Sequence, residues 1–385
     1  MMTPFDFQPR TRVVFGENAI DQLGALAGEL GTRRAMLVTD PGIVAAGHVE
    51  RGLASLTAAN IETVVFDGAC ENPTTREVDT GLAMAKRFEP ELLIGLGGGS
   101  SMDCAKGVNF VYSCGGTLHD YWGVGKALNE MLPMIAVPTT AGTGSEMQSF
   151  ALISDPDTHV KMACGDKKAS CKVAILDPCL TLTQPPMVSA LTAVDALSHA
   201  VETYVTTKRN DVSALFSRES FRLLAENFAT VFEKPDDLAA RAGMQLGAAY
   251  AGWAIENSML GAAHALANPI TAEYGTAHGQ AVGLMLPHVV RFNGVEFDAN
   301  YGELLAAANM TPEPAGNHGG NAEHLAQWLT QSVARAGMET KLTAIGVEKE
   351  KLSELAAAAE KQWTGNFNPR KVDAASLMSV YEQAI

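Results

Sequence analysis

The run Leu92–Leu96, LLIGL, constrains the fold more than any other stretch. It is strictly apolar, with no alternation of polar residues. A strand of this kind is buried on both faces, as in a parallel sheet covered by helices on each side. Gly97-Gly98-Gly99-Ser100-Ser101-Met102-Asp103 follows directly. A glycine-rich turn between strand and helix lets backbone N–H groups approach a pyrophosphate, and the helix N-terminus adds its dipole. The helix is expected from about Met102. The turn does not fit G-x-G-x-x-G, since position 102 is methionine, and it lacks the Gly-Lys-Ser/Thr ending of a P-loop.

The flanking sequence repeats the pattern. Thr11–Phe15, Ala35–Thr39, Ile61–Phe66, Met134–Val137, Phe150–Ser154 and Val173–Leu176 read as strands. Asn18–Leu30, Val44–Ala59 and a segment from Asn72 to about Phe88 read as helices. The alternation predicts a doubly wound α/β domain with a parallel sheet. Asp40 directly follows the second strand, where many dinucleotide folds hold the adenosine ribose hydroxyls. A plain loop aspartate is the competing reading. Pro138–Glu146, PTTAGTGSE, is dense in hydroxyls and glycine. It suits ribose and phosphate, or a polar surface turn. Pro185-Pro186 breaks the pattern, and no strand is evident beyond it. Residues 187–385 read as successive helices rich in Ala and Leu, with turns near 234–235, 311–320 and 366–370. The expected division is a dinucleotide-binding α/β domain over 1–184 and an all-helical metal and substrate domain over 185–385.

In the helical half, Leu191–Thr203 reads LTAVDALSHAVET. It places Asp195 and His199 at i and i+4, on one face of an apolar helix. A carboxylate and an imidazole inside apolar surroundings need a partner, either each other or a divalent metal. Residues 261–288 add His264, His278 and His288. With His264 and His278 the pair becomes one Asp and three His, which suits Zn²⁺ or Fe²⁺ with a position left open for substrate.

Charge and cysteine usage narrow the function classes. The formal net charge of −15 disfavours nucleic acid and anionic membrane surfaces as partners. The N-terminus lacks the basic and apolar regions of a signal peptide, and no apolar run approaches the roughly 18–20 residues of a membrane span. Six cysteines without a CxxC pair fit reduced thiols and a cytoplasmic location.

The motifs together resemble the iron-containing (group III) alcohol dehydrogenases. The resemblance runs from Val14-Phe15-Gly16 through GGGSSMD, PTTAGTGSE, VDALSHAVE, GAAHALANP and GTAHGQAVGLMLPH to Asn368-Pro369-Arg370. It implies the two-domain, dehydroquinate synthase-like architecture. It implies metal ligation by Asp195, His199, His264 and His278, with iron expected before zinc. NAD contacts carry over onto Asp40, Asn72, Gly98, Gly99, Ser100, Thr139, Thr140, Thr143, Lys161 and Leu180. An aspartate at the position of Asp40 favours NAD over NADP. The implied activity interconverts a small alcohol and its aldehyde or ketone, with the alcohol oxygen on the ion and hydride passing to the nicotinamide. A homodimer or larger homo-oligomer is expected. Asn268 and His278 lie nearest the expected chemistry. Many members carry a second histidine where this chain has Asn268, which hydrogen-bonds but does not titrate. His288, in the LPH motif, is expected to pack or to support the site. Two alternatives remain at this point. One is a metal- and NAD-dependent lyase of the dehydroquinate synthase type, which needs several basic residues. The helical half offers few near the motifs, and Lys208 and Arg209 are the closest to the Asp195 helix. The other is a non-catalytic dinucleotide sensor.

Overall fold

The computed structural model describes residues 4–158, 160–311 and 320–385. The turn expected at 311–320 lies almost wholly outside them. The chain forms two compact units. One holds Gln8–Thr140 and Gly144–Gln184. The other holds Pro185–Ile385 together with Ala141–Thr143 and Phe7, whose ring lies 6.0 Å from that of Phe216.

The first unit is built on nine strands. They are β1 (Arg12–Phe15), β2 (Arg34–Val38), β3 (Glu62–Phe66), β4 (Leu92–Gly97), β5 (Gly123–Val124), β6 (Met134–Pro138), β7 (Phe150–Ser154), β8 (Lys161–Gly165) and β9 (Val173–Leu176). Six form a parallel sheet in the order β1-β9-β6-β4-β2-β3, with Ile94 of β4 paired to Leu37 on one side and Ile135 on the other. All six residues of β4 are buried. Met36, Val38 and Leu93 join the core on one face, while Leu37, Ile94 and Leu96 join the core on the other. This is the two-sided burial that an apolar central strand demands. The helices of this unit are α1 (Leu23–Glu29), α2 (Pro41–Ala45), α3 (His48–Ala58), α4 (Thr75–Phe88) and α5 (Gly99–Cys114).

Three local readings change. The helix expected over 18–30 opens as a 3-10 turn, Ala19–Gln22, before α1 begins. The helix expected over 44–59 is two, because Gly47 turns left-handed at φ 81° between α2 and α3. Helix α5 starts at Gly99 instead of Met102, with Gly98 extended as its N-cap. Strand β8 was not legible, since KMACG has no β-branched residue. It pairs antiparallel to β7 and parallel to β5 in a small second sheet.

The second sheet is fastened to α5 by a buried lysine. Lys106 has no exposed surface, and its Nζ donates to Ser145 O at 2.7 Å and to Ser145 Oγ, Gln148 O and Phe150 O at 2.9 Å. Asp103, one turn earlier, accepts from Ser145 Oγ at 2.6 Å and from Leu152 N at 3.2 Å. Burial raises the Asp103 carboxyl despite nearby Lys106, and burial pushes Glu146 up to about 7.

The second unit is helical. It comprises α6 (Pro186–Thr203), α7 (Asp211–Glu233), α8 (Leu238–Ser258), α9 (Ala262–Tyr274), α10 (His278–Ala307), α11 (Gly320–Arg335), α12 (Leu352–Ala359) and α13 (Ala374–Gln383). Helix α6 is its centre, and every residue from Ala193 to Thr203 is buried. Among the described residues no helix is long and apolar enough to cross a membrane, and all six cysteines are unpaired.

Lys106→Met removes the donor and leaves three buried carbonyls and a hydroxyl to rearrange. The expected cost is about 3 kcal/mol, in the range for breaking a buried charged network. It is read from the shift of the urea unfolding midpoint. An unshifted midpoint would show that the lysine does not fasten this segment.

Candidate functional site

Helix α6 carries Asp195 and His199 with their side chains converging, His199 Nε2 lying 3.3 Å from Asp195 Oδ1. Helix α9 brings His264 Nε2 to 3.6 Å from the same oxygen. Helix α10 begins at His278, whose Nε2 lies 3.8 Å from it. Two glycines allow that approach. A Cβ at Gly279 would meet Leu191 O at 2.2 Å, and one at Gly283 would meet Val194 Cγ1 at 2.7 Å. The start of α10 is thereby pressed onto α6.

The arrangement fits a divalent ion. Ligand atoms that share an ion at about 2.1 Å stand roughly 3.0–3.5 Å apart. Asp195, His199 and His264 place one ligand atom each within 4.8 Å of one another. His278 is the loosest of the four, and its side chain is 29% exposed where the others are nearly sealed. Asp195 Oδ1 and His264 Nε2 are buried without a hydrogen-bond partner among the described residues. Two such polar atoms aimed at one point are costly unless something binds them.

The electrostatics agree. Burial alone would raise the Asp195 carboxyl, but the imidazoles of His199, His278 and His264 outweigh it and hold the group below the usual carboxylate range. Burial lowers His199. Burial would lower His264 too, yet Glu202 and Asp195 raise it to about 9. Two buried carboxylates among three imidazoles call for positive charge, and a bound cation supplies it without protonating a ligand.

Glu202 is the residue that sequence reading missed. It stands at i+7 from Asp195 on α6, and is 4% exposed. Its Oε2 accepts from His264 Nδ1, which leaves Nε2 as the atom facing Asp195. Its Oε1 accepts from Ala263 N at 2.7 Å. Asn368 Oδ1 accepts from Ala262 N at 3.3 Å. Two side chains from other segments therefore cap α9, whose own N-cap, Gly261, has no side chain to do so. A Cβ at Gly261 would meet Glu202 Oε1 at 2.9 Å. Asn368 also exchanges two hydrogen bonds with Asn293 of α10, at 2.8 and 3.1 Å. The Asn368-Pro369-Arg370 motif thus ties together the helices that carry His264 and His278. The i, i+4, i+7 spacing of Asp195, His199 and Glu202 was the available signal.

The α/β unit gathers most of the dinucleotide candidates at one place. In the strand order the chain reverses direction between β2 and β4, and ligands bind beyond the carboxyl ends of strands at such a switch point. Asp40 follows β2, and Gly98, Gly99 and Ser100 follow β4. Asp40 Oδ1 caps α2 through Gly42 N at 2.9 Å and Ile43 N at 3.1 Å, while Oδ2 accepts from Ser101 Oγ at 3.1 Å. Gly97 has φ +148°, and a Cβ there would meet Ser101 Oγ at 2.5 Å. The first turn of α5 has no side-chain cap, so its first N–H groups are not taken by a capping side chain. Asn72, beyond β3, receives Lys161 Nζ at 2.9 Å and donates its own N–H to Ser100 Oγ at 3.3 Å. Thr139 and Thr140 follow β6, Thr139 N donating to Gly97 O at 2.9 Å. Leu180 is buried in the core beside β9. Thr143 belongs with the helical unit.

Asn268 lies one turn after His264 on α9, half-buried, and donates from Nδ2 to Gln362 Oε1 at 3.0 Å. His288 is pushed down to about 4 by burial, with Arg291 adding to the effect.

Known proteins match this chain along its length. The model of the iron-containing alcohol dehydrogenase family matches residues 9–178, and that of the Fe-containing alcohol dehydrogenase family C-terminal domain matches residues 189–385. A 1,3-propanediol dehydrogenase of Klebsiella pneumoniae is 32% identical, over 99% of this chain and 98% of its own. An NAD-dependent methanol dehydrogenase of Bacillus methanolicus is 30% identical, over 100% of both chains. A crystal structure of a 1,3-propanediol oxidoreductase superposes with TM-score 0.95 at 32% identity, covering 100% of both chains.

Glu202→Gln keeps the shape and removes the anion that orients His264. Loss of such an outer partner lowers metal affinity roughly 10–100-fold. Competition with a chelator measures it, with circular dichroism reporting that the helices persist. Wild-type retention in the variant would deny Glu202 this role.

Proposed function

This chain belongs to the iron-containing alcohol dehydrogenase family and is a metal-dependent NAD(H) alcohol oxidoreductase; from that premise we propose how its residues divide the work. Residues 1–184 bind the dinucleotide, and 185–385 hold the metal and the substrate. Asp195, His199, His264 and His278 hold one divalent ion, iron in preference to zinc. The observation that carries the assignment is the convergence of three imidazoles on Asp195 Oδ1. NAD is held by Asp40, Asn72, Gly98, Gly99, Ser100, Thr139, Thr140, Thr143, Lys161 and Leu180. The lyase reading is not favoured, because the relatives are alcohol and diol dehydrogenases.

When bound, the ion supplies a Lewis acid and NAD supplies a hydride acceptor. The chain's own groups do the holding. Asp40 offers a carboxylate to the ribose hydroxyls and opposes a 2′-phosphate. The first turn of α5 offers N–H groups to the pyrophosphate. His278, the most accessible of the four ligands, borders the side open to substrate. Asn268 orients water or substrate and carries no proton, so the alcohol proton leaves through water or ribose hydroxyls. Nor is His288 suited to carry it, since burial keeps it neutral at ordinary pH. The enzyme acts in the cytoplasm as a homodimer or larger homo-oligomer.

The direct test is NADH formation from short alcohols, with metal content measured on the same preparation. Turnover by metal-free protein would refute the ion's role. Asp40→Gly should raise the NADP-to-NAD ratio of kcat/KM by roughly tenfold, or about 1.4 kcal/mol. The cap itself loses only a few tenths of a kcal/mol when Gly replaces Asp. A wild type that already prefers NADP would show Asp40 to be misassigned. For Asn268, the pH profile of alcohol oxidation should contain no imidazole ionisation near about 6.5. Asn268→His should add one. An imidazole ionisation in wild type that vanishes in His288→Asn would contradict the water route.

A further inference from the structure

We propose that Asn368 is a positioning residue for the metal centre, and that the segment 367–370 is a clasp that sets how tightly the ion is kept. The inference rests on the metal reading given above. It adds a residue that is neither a ligand nor a direct partner of one.

The clasp begins in local sequence. Pro369 disfavours helical backbone at the residue before it. Asn368 accordingly takes φ −57° and ψ 139°, and the 3-10 turn Trp363–Phe367 stops there. The segment is then fastened at three places, all within the helical unit. Phe367 O accepts from Thr207 N at 2.8 Å, just past the end of α6. Arg370 donates to Phe292 O of α10 and, from Nε, to Glu296 Oε1 at 3.1 Å. Its guanidinium also lies 4.1 Å from the centre of the Phe292 ring. Asn368 reaches the start of α9, where its Oδ1 accepts from Ala262 N at 3.3 Å. The segment therefore meets α9, α10 and the exit of α6. Those three helices carry Asp195, His199, His264 and His278.

The amide of Asn368 has no spare capacity. Besides Ala262 N, its Oδ1 accepts from Asn293 Nδ2 at 3.1 Å. Its Nδ2 donates to Asn293 Oδ1 and to Arg370 O, each at 2.8 Å. Two accepted and two donated bonds fill a side-chain amide. Asn368 is 4% exposed and Asn293 2%, so water is not at hand to replace a lost bond. The locked pair holds Oδ1 against the first N–H of α9. The next N–H, of Ala263, goes to Glu202 Oε1 at 2.7 Å, and Glu202 Oε2 takes His264 Nδ1. Gly261 lets both side chains close in, since a Cβ there would meet Glu202 Oε1 at 2.9 Å and Asn368 Oδ1 at 3.2 Å. Asn368 and Glu202 thus hold two successive N–H groups, and His264 is the next residue. Release of Ala262 N leaves the first turn of α9 held by Glu202 alone, and the same carboxylate must also orient the ring.

The test uses the full-length protein, Fe²⁺ under anaerobic conditions and a competing chelator. Thermal unfolding is followed on chelator-treated and Fe²⁺-loaded samples. Asn368→Ala should weaken ion binding roughly tenfold, the lower end of the range for groups that support ligands. Asn368→Asp keeps an acceptor for Ala262 N. Its second oxygen, however, faces Asn293 Oδ1 and Arg370 O, and its charge lies on the same helix start as Glu202. It should weaken binding at least as much. The rise in unfolding midpoint that Fe²⁺ confers should shrink in both variants. A merely structural residue would lower the chelator-treated and loaded midpoints equally and leave affinity unchanged, and that result overturns the proposal. Full affinity in Asn368→Asp overturns it too. Should Asn368→Ala fail to unfold cooperatively, the partly exposed Arg370 carries the test. Arg370→Ala opens the clasp and leaves Asn368 in place, so affinity should fall at least roughly threefold, the value of one hydrogen bond. Unchanged affinity there counts against the clasp. Wild-type protein that binds no Fe²⁺ contradicts the metal reading itself, whereas a wild type that binds one equivalent beside unaffected variants contradicts only the role of Asn368.

Discussion

The helical unit depends on a single carboxylate kept ionised inside an apolar helix bundle. Asp195 sits in a stretch of α6 in which every neighbour from Ala193 to Thr203 is buried. A lone carboxylate there would be expelled or protonated. It stays charged because three imidazoles converge on one of its oxygens, and the cluster as a whole has the donor set to take a cation. The surrounding structure serves that convergence. Gly279 and Gly283 remove the side chains that would hold α10 away from α6. Glu202 fixes the ring of His264 and, with Asn368, satisfies the first N–H groups of α9.

The α/β unit solves a different problem by different means. There the proposed ligand is an anionic dinucleotide, and the fold offers backbone N–H groups at the N-terminus of α5 beside Asp40 and Lys161. Glycines 97–99 permit the backbone to be approached closely, and Asp40 is set at the neighbouring strand end by capping α2. Asp103 and Lys106, one and two turns into α5, direct their polarity to the segment 145–152. The helix whose first turn is proposed to hold the pyrophosphate is therefore the same one that anchors the small second sheet.

Most of the architecture was legible because it is written in long-period patterns. The apolar strand 92–96, the β-α alternation and the loss of strands beyond Pro185 all follow from burial of whole elements. What was not legible depends on single residues in tertiary context. Gly47 splits one helical pattern into two. Gly98 caps a helix that propensity places three residues later. KMACG becomes a strand only because β7 and β5 flank it. At the metal site, Asp195 and His199 were readable from their i, i+4 spacing, and His264 and His278 through the resemblance. Glu202 was missed although it shares their face, because a glutamate at a helix end reads as solvated. Asn368 and Gln362 lie more than a hundred residues along the chain from Asp195, and nothing in local sequence joins them to it.

The central claim is that one divalent ion, held by Asp195 and the three histidines, is required for NAD-linked alcohol oxidation. A calorimetric titration of the chelator-treated full-length protein with Fe²⁺ under anaerobic conditions, with NADH formation followed on the same samples, tests it most directly. The account predicts one equivalent bound per chain, activity rising in step with occupancy, and neither binding nor activity in Asp195→Ala. Full NADH formation before any ion is added, or an undiminished equivalent bound by Asp195→Ala, would contradict it.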